Sequence, residues 1–224
     1  MGLFKPNYEK EGPGVEKDAP PKTGFALFFD ILSLQFWQLI KLNLLFVVCC
    51  IPVVTIGPAY AGMTYALLRF VRCEPDADVW HDFRRGFREN WKAGLGCGIA
   101  MAAIFGVLGT MMVQCMLRGM TILAAVPLAL TLIAGVSAVY LFPMLVSVDL
   151  PVRATVNNAF LLGMICVKRS LPVFALALVL VLAEALFFPL TVPIVLFIGA
   201  VLPCFITTFV AWGGIRQHIL KEIA

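Results

Sequence analysis

Residues Leu42 to Lys92 read LNLLFVVCCIPVVTIGPAYAGMTYALLRFVRCEPDADVWHDFRRGFRENWK. The stretch holds a membrane-length apolar run, a proline-glycine turn, a shorter apolar helix and a polar segment dense in arginine. That order predicts two membrane helices leading into a cytoplasmic loop. The rest of the chain fits such a setting. It is 61% hydrophobic and 13% charged, against about 45–50% and about 25% for soluble domains. A bilayer core takes about 20 apolar residues per helix, and several such runs are present. The formal charge of +4 is not gathered into a basic stripe, so nucleic acid is not an expected partner. Seven cysteines lie mostly inside apolar runs, without a CxxC pair, and read as small hydrophobes.

The expected fold is all-α: a polytopic membrane helix bundle with six spans, the second short, plus short interfacial cytoplasmic helices. Residues 1–24 read as a flexible cytoplasmic tail, 25–217 as the membrane domain and 218–224 as a cytoplasmic end. An interfacial lead-in from Phe25 precedes a first span from Leu34 to about Ile51 or Val54. Pro52 and the pair Gly57-Pro58 punctuate the turn into a second helix, Gly57 to Val71. Its fifteen residues rise only about 22 Å, short of the roughly 30 Å hydrocarbon core. The remaining spans are read as Gly94–Leu117, Thr121–Val148, Leu171–Leu190 and Val192–Trp212.

Charge sets the orientation. Arg69, Arg72, Arg84, Arg85, Arg88 and Lys92 follow the second helix, and the positive-inside rule places them in the cytoplasm. With a lysine-rich N-terminus also inside, the second helix is read as crossing. Of the 17 Lys and Arg residues, only Arg118 then lies outside, and Lys41 lies within a span.

These residues carry a resemblance. Gly2-Leu3-Phe4, Leu42-Asn43-Leu44-Leu45, Cys50-Ile51-Pro52-Val53-Val54-Thr55-Ile56-Gly57-Pro58 and Asp82-Phe83-Arg84-Arg85-Gly86-Phe87-Arg88-Glu89-Asn90 are similar to motifs of the YesL family. Tyr140-Leu141-Phe142-Pro143 and Asn157-Asn158-Ala159 match more weakly. The family is a group of bacterial membrane proteins without an established activity. The resemblance implies a bacterial cell membrane location. Members are often encoded beside carbohydrate-uptake transporters and glycan-degrading enzymes, which implies an accessory role in sugar uptake.

Individual residues stand out on their own chemistry. Glu184 lies in LALVLVLAEALFFPL, where a carboxylate must be paired, protonated or in contact with water. It is either a proton or solute site or a structural hydrogen bond to Gln114 or Thr110. Lys41 sits in the inner half of a span and can snorkel to the interface. Gly94, Gly98, Ala102, Gly106 and Thr110 recur at every fourth position, a stripe that allows close helix packing, within the monomer or in a homo-oligomer. Asp78 to Lys92 reads as an amphipathic helix with Asp78 as N-cap. Trp80, Phe83, Phe87 and Trp91 fall within an arc of about 80°, flanked by Arg84 and Arg88, with Asp82 and Glu89 pointing away. Asn90 reads as a helix-end residue beside a possible ligand or partner surface, as do Asn157 and Asn158.

No catalytic constellation, metal-ligand set or cofactor loop is recognisable. The expectation is a non-enzymatic accessory or interaction protein in contact with the lipid bilayer and a sugar transporter complex or a second copy. The alternative is a small-solute permease using a midmembrane polar site near Glu184, with the broken second helix as its other mark.

Overall fold

In the computed structural model, residues 24–219 are described. The expected tail before residue 24, and the chain after residue 219 with Lys221, lie outside the described residues. Among the described residues the chain forms helices and turns, as the apolar periodicity predicts. The helices are α1 (Phe25–Leu34), α2 (Phe36–Cys49), α3 (Ile56–Val71), α4 (Val79–Glu89), α5 (Trp91–Leu117), α6 (Ala125–Ser147), α7 (Val152–Ile165) and α8 (Val167–Leu186). The last, α9 (Val192–His218), contains a π-helical turn at Val195–Gly199.

Three helices make the centre. α3, α6 and α9 pack on one another, and each outer helix lies against two of them. α2 packs on α9 and α3, α5 on α3 and α6, and α8 on α6 and α9. Burial separates the two sets. Twelve of the sixteen residues of α3 are buried, whereas Ser170 is the buried residue of α8. The outward faces of α5 and α8 carry Ile99, Val107, Val113, Val179 and Leu182, all well exposed. An apolar exterior of this kind needs lipid as solvent.

The short helices follow a common construction. α1 turns into α2 at Gln35 (φ −102°, ψ 14°), α4 into α5 at Asn90 (φ −104°, ψ 18°), and α7 into α8 at Cys166 (φ −94°, ψ 20°). All three junctions use the same sparsely populated bridge geometry, and at the first of them the helices bend by 75°. α4 lies along α3 and α7 along α6, whereas α1 touches α9 through Phe28. Phe28 of α1 stacks on Phe205 of α9 at 4.8 Å. Gly86 of α4 faces Gly62 of α3, and Gly163 of α7 faces Val136 and Ser137 of α6. A central helix, a short covering helix and a long outer helix thus recur as α3-α4-α5 and α6-α7-α8.

The span count differs from the expected six. α5, α6, α8 and α9 are each long and apolar enough to cross a membrane, and the pair α1-α2, bent by 75°, adds a fifth only if it is one broken span rather than a re-entrant loop. The second expected span, α3, is too short at 16 residues. Its register gives the reason. Gly57 and Pro58, at the start of α3, meet Gly94 and Gly98, in the first two turns of α5. Residues 99–117 of α5 then run about 28 Å past the start of α3. In that further region Phe105 of α5 stacks on Phe174 of α8 at 6.2 Å, and Gly135 of α6 lies against the same Phe174 ring. α3 therefore occupies one end of the bundle.

Candidate functional site

The expected amphipathic helix is α4, and it is held inside the molecule on one side. The missing side chains of Gly62 and Gly86 let α3 and α4 touch through backbone. A Cβ at Gly86 would lie 2.5 Å from Cβ of Tyr65, and one at Gly62 2.8 Å from the Phe83 carbonyl oxygen. At the end of α3, Arg69 donates to Asp82 at 2.5 Å and to Glu74 at 2.6 Å. Asp82 is 1% exposed, so this is a buried, hydrogen-bonded pair whose disruption strands a charge. Its second oxygen accepts the backbone N–H of Asp78 at 3.0 Å.

Two expectations change here. Asp78 stands at the N-cap but its side chain makes no capping bond; the Asp82 carboxylate reaches back to satisfy that N–H. Asp82, read as pointing away from the aromatic arc, is drawn inward by Arg69 of the adjacent helix. Helix periodicity places a residue on a face but does not reveal a cation waiting on the neighbouring helix.

The expected aromatic arc also divides. Phe83 is buried and Phe87 half-buried, packed in the core shared by α2, α3 and α9. Trp80 stays exposed at 62%. Trp91 belongs to α5, with its ring 5.0 Å from that of Phe87. Asn90 donates to the Gly86 carbonyl at 3.1 Å and so closes the α4-α5 corner.

Between α2 and α4 runs a groove of about 740 Å³. It gathers residues that the sequence placed far apart: Lys41 with Phe83, Arg84 and Phe87. Arg85 and Arg88 lie on the other side of α4 with His81 and Glu89, a side that Arg84 also borders. Arg85 donates to Glu89 at 2.9 Å, which raises the guanidinium pKa, and lies 5.8 Å over the Tyr65 ring. Arg72 sits 4.2 Å over the Trp212 ring. Among the described residues Lys41, Arg84 and Arg88 have no ion-pair partner.

The other candidates lie elsewhere. Glu184 is half-buried in α8, its carboxylate against Gly199 in the π turn, where a Cβ would come within 2.8 Å of Oε1. Among the described residues it makes no side-chain bond to Gln114 or Thr110. Gln114 is exposed on α5, and the Thr110 hydroxyl is satisfied by the Val107 carbonyl at 2.9 Å. The small-residue stripe is used only in part. Gly94 and Gly98 pack on α3, while Ala102 is exposed and Gly106 has open space where a side chain would be. Pro52 opens the turn, where Thr55 donates to the Pro52 carbonyl at 2.6 Å and to that of Cys49. Gly57 and Pro58 are already buried in the first turn of α3. Asn157 is exposed and Asn158 half-buried on α7.

Asn43, in the Leu42-Asn43-Leu44-Leu45 segment, makes more side-chain hydrogen bonds than any candidate above. Fully buried, it donates to the carbonyls of Val195 and Leu196 at 2.9 and 2.8 Å. It accepts from the N–H groups of Ala200 and Val201 at 3.1 and 2.9 Å. The signal was available: an amide within LNLLFVV must find partners, since hydrocarbon offers none.

The fold and its apolar exterior define a multi-pass membrane helix bundle. The chain is similar over residues 39–110 to the family described as "Protein of unknown function, DUF624". The match runs from α2 through α3 and α4 into α5, and so contains both walls of the groove. No curated protein and no solved structure matches the chain.

Proposed function

We propose that this is a non-enzymatic accessory protein of the bacterial cell membrane, with both termini cytoplasmic, that presents α4 to an acidic partner protein. The observation that carries this reading is how α4 is held. Its inner face is fixed by Gly62, Gly86 and the Arg69–Asp82 pair, while His81, Arg85 and Arg88 face outward. A rigid, basic face is suited to recognition because little order has to be gained on binding. The resemblance to the YesL family points to a carbohydrate-uptake transporter as that partner.

A photo-crosslinker at position 88, in cells growing on a glycan, tests the reading. An adduct with a transporter subunit, lost when Arg84→Glu and Arg85→Glu are added to the crosslinker-bearing chain, is expected. Adducts to lipid alone would overturn it.

A second reading rests on one observation. Glu184 sits against the π turn of α9, and transporter substrate sites are commonly built where a membrane helix departs from regular geometry near the midplane. Solute uptake that Glu184→Gln abolishes, with the bundle still folded, would favour a permease.

A further inference from the structure

We propose that the groove between α2 and α4 binds one anionic glycerophospholipid, with its phosphate at Lys41 and Arg84 and an acyl chain along α2. The lining is graded. On α2 it passes from Gln38 and Lys41 to Leu44, Leu45, Val48 and Cys49, so the polar residues occupy the end away from the hairpin turn. On α4 the wall is Val79, Trp80, Phe83 and Phe87, interrupted by Arg84. Asp78 also stands on the rim, which leaves two cations against one carboxylate.

A soluble phosphate has no use for the apolar half, and an uncharged lipid has none for the cations. Arg69, Arg72 and Arg85 of the same region are already engaged by Glu74, Asp82, Trp212 and Glu89. Lys41 and Arg84 have no such partner among the described residues. Two basic groups above an apolar wall at a membrane boundary match a phosphodiester with its chain. The volume of about 740 Å³ lies within the usual range for small-molecule sites. Arg84 also borders the outward face of Arg85 and Arg88, but Lys41 and the apolar wall belong to the groove alone, and the lipid does not depend on the partner proposed there.

Native mass spectrometry of the full chain in detergent, with added dioleoylphosphatidylglycerol or dioleoylphosphatidylcholine, tests the proposal. One phosphatidylglycerol per chain is expected, retained about tenfold better than phosphatidylcholine. Lys41→Gln with Arg84→Gln should remove that preference. Both side chains are exposed, and unchanged thermal unfolding confirms that the fold is kept. Arg153→Gln with Lys168→Gln removes the same charge elsewhere and should leave retention unchanged. Val48→Trp, which fills the apolar end with the cations in place, should also abolish it. Equal retention of the two lipids, retention that survives Lys41→Gln with Arg84→Gln or Val48→Trp, or displacement by glycerol 3-phosphate would each overturn the proposal. So would a two-chain mass abolished by the same double substitution, since the groove would then seat a second copy.

Discussion

The side-chain oxygen of Asn43 in α2 accepts the backbone N–H of Val201 in α9 at 2.9 Å, across 158 residues of chain. The same amide serves Val195, Leu196 and Ala200. A π turn shifts the helical hydrogen-bond pattern by one residue and leaves backbone groups without their usual partners. Asn43 supplies those partners from a neighbouring helix. Asn43→Leu keeps the volume and removes all four bonds, and should cost about 2–4 kcal/mol in reversible unfolding from mixed micelles. Thr110→Val removes a hydroxyl bonded only to its own helix on an exposed face, and should change stability by less than about 0.5 kcal/mol. Equal effects from the two would show that the interhelical bonds of Asn43 do not hold the π turn.

The Arg69–Asp82 pair makes a second, independent prediction. Asp82→Ala leaves the guanidinium without its buried partner and the Asp78 N–H without an acceptor, at a cost of about 3 kcal/mol. Asp82→Asn retains an acceptor for Asp78 and should cost visibly less. Hydrogen exchange across 76–90 reads the local consequence. Fast exchange there is expected in Asp82→Ala, with α6 and α9 still protected. Uniform loss of protection would mean that α4 is not a separable element.

The small-residue stripe can be tested position by position. Gly98→Ala drives a methyl to 2.7 Å from the Gly57 backbone and should destabilise by about 1–3 kcal/mol. Gly106→Ala has nothing within 4 Å, so it should gain up to about 1 kcal/mol from helix propensity alone. If instead Gly106→Ala destabilises a complex of two chains, the outer half of the stripe is a contact between copies.

Much of this architecture is legible in the residues, and the rest is hidden for identifiable reasons. Apolar runs and arginine placement give the helices and the α4 segment. Periodicity puts Phe83 and Phe87 on one face, but it does not separate them from the exposed Trp80. The fate of Asp82 is not legible either, since its position depends on Arg69 arriving from α3. The way the short helices seat on central ones is also hidden. Gly86 facing Gly62, Gly163 facing Val136 and Phe28 on Phe205 perform the same task with different residues. Lys41 and Arg84 share a groove only because α2 and α4 both line α3, a juxtaposition of tertiary origin.

The α2-α3 hairpin carries the last prediction. The positive-inside rule places residues 72–92 in the cytoplasm, and a crossing α3 satisfies it. So does a hairpin that enters from the cytoplasmic side and returns, so charge does not discriminate between them. Register does. α3 begins level with Gly94 and Gly98 of α5, which then continues through residues 99–117. If α5 crosses the bilayer, the hairpin ends roughly 28 Å short of its far end. The tip itself is apolar and exposed: Ile51 at 77%, Val53 at 75% and Val54 at 63%. Such a tip is stable in hydrocarbon and unfavourable in water. An impermeant maleimide applied to intact cells should therefore label Gly119→Cys, at the α5-α6 turn, over the native background. Val53→Cys should remain unlabelled from outside, and also from inside in inverted vesicles. Labelling of Val53→Cys from outside at the rate of Gly119→Cys would restore a full crossing by α3.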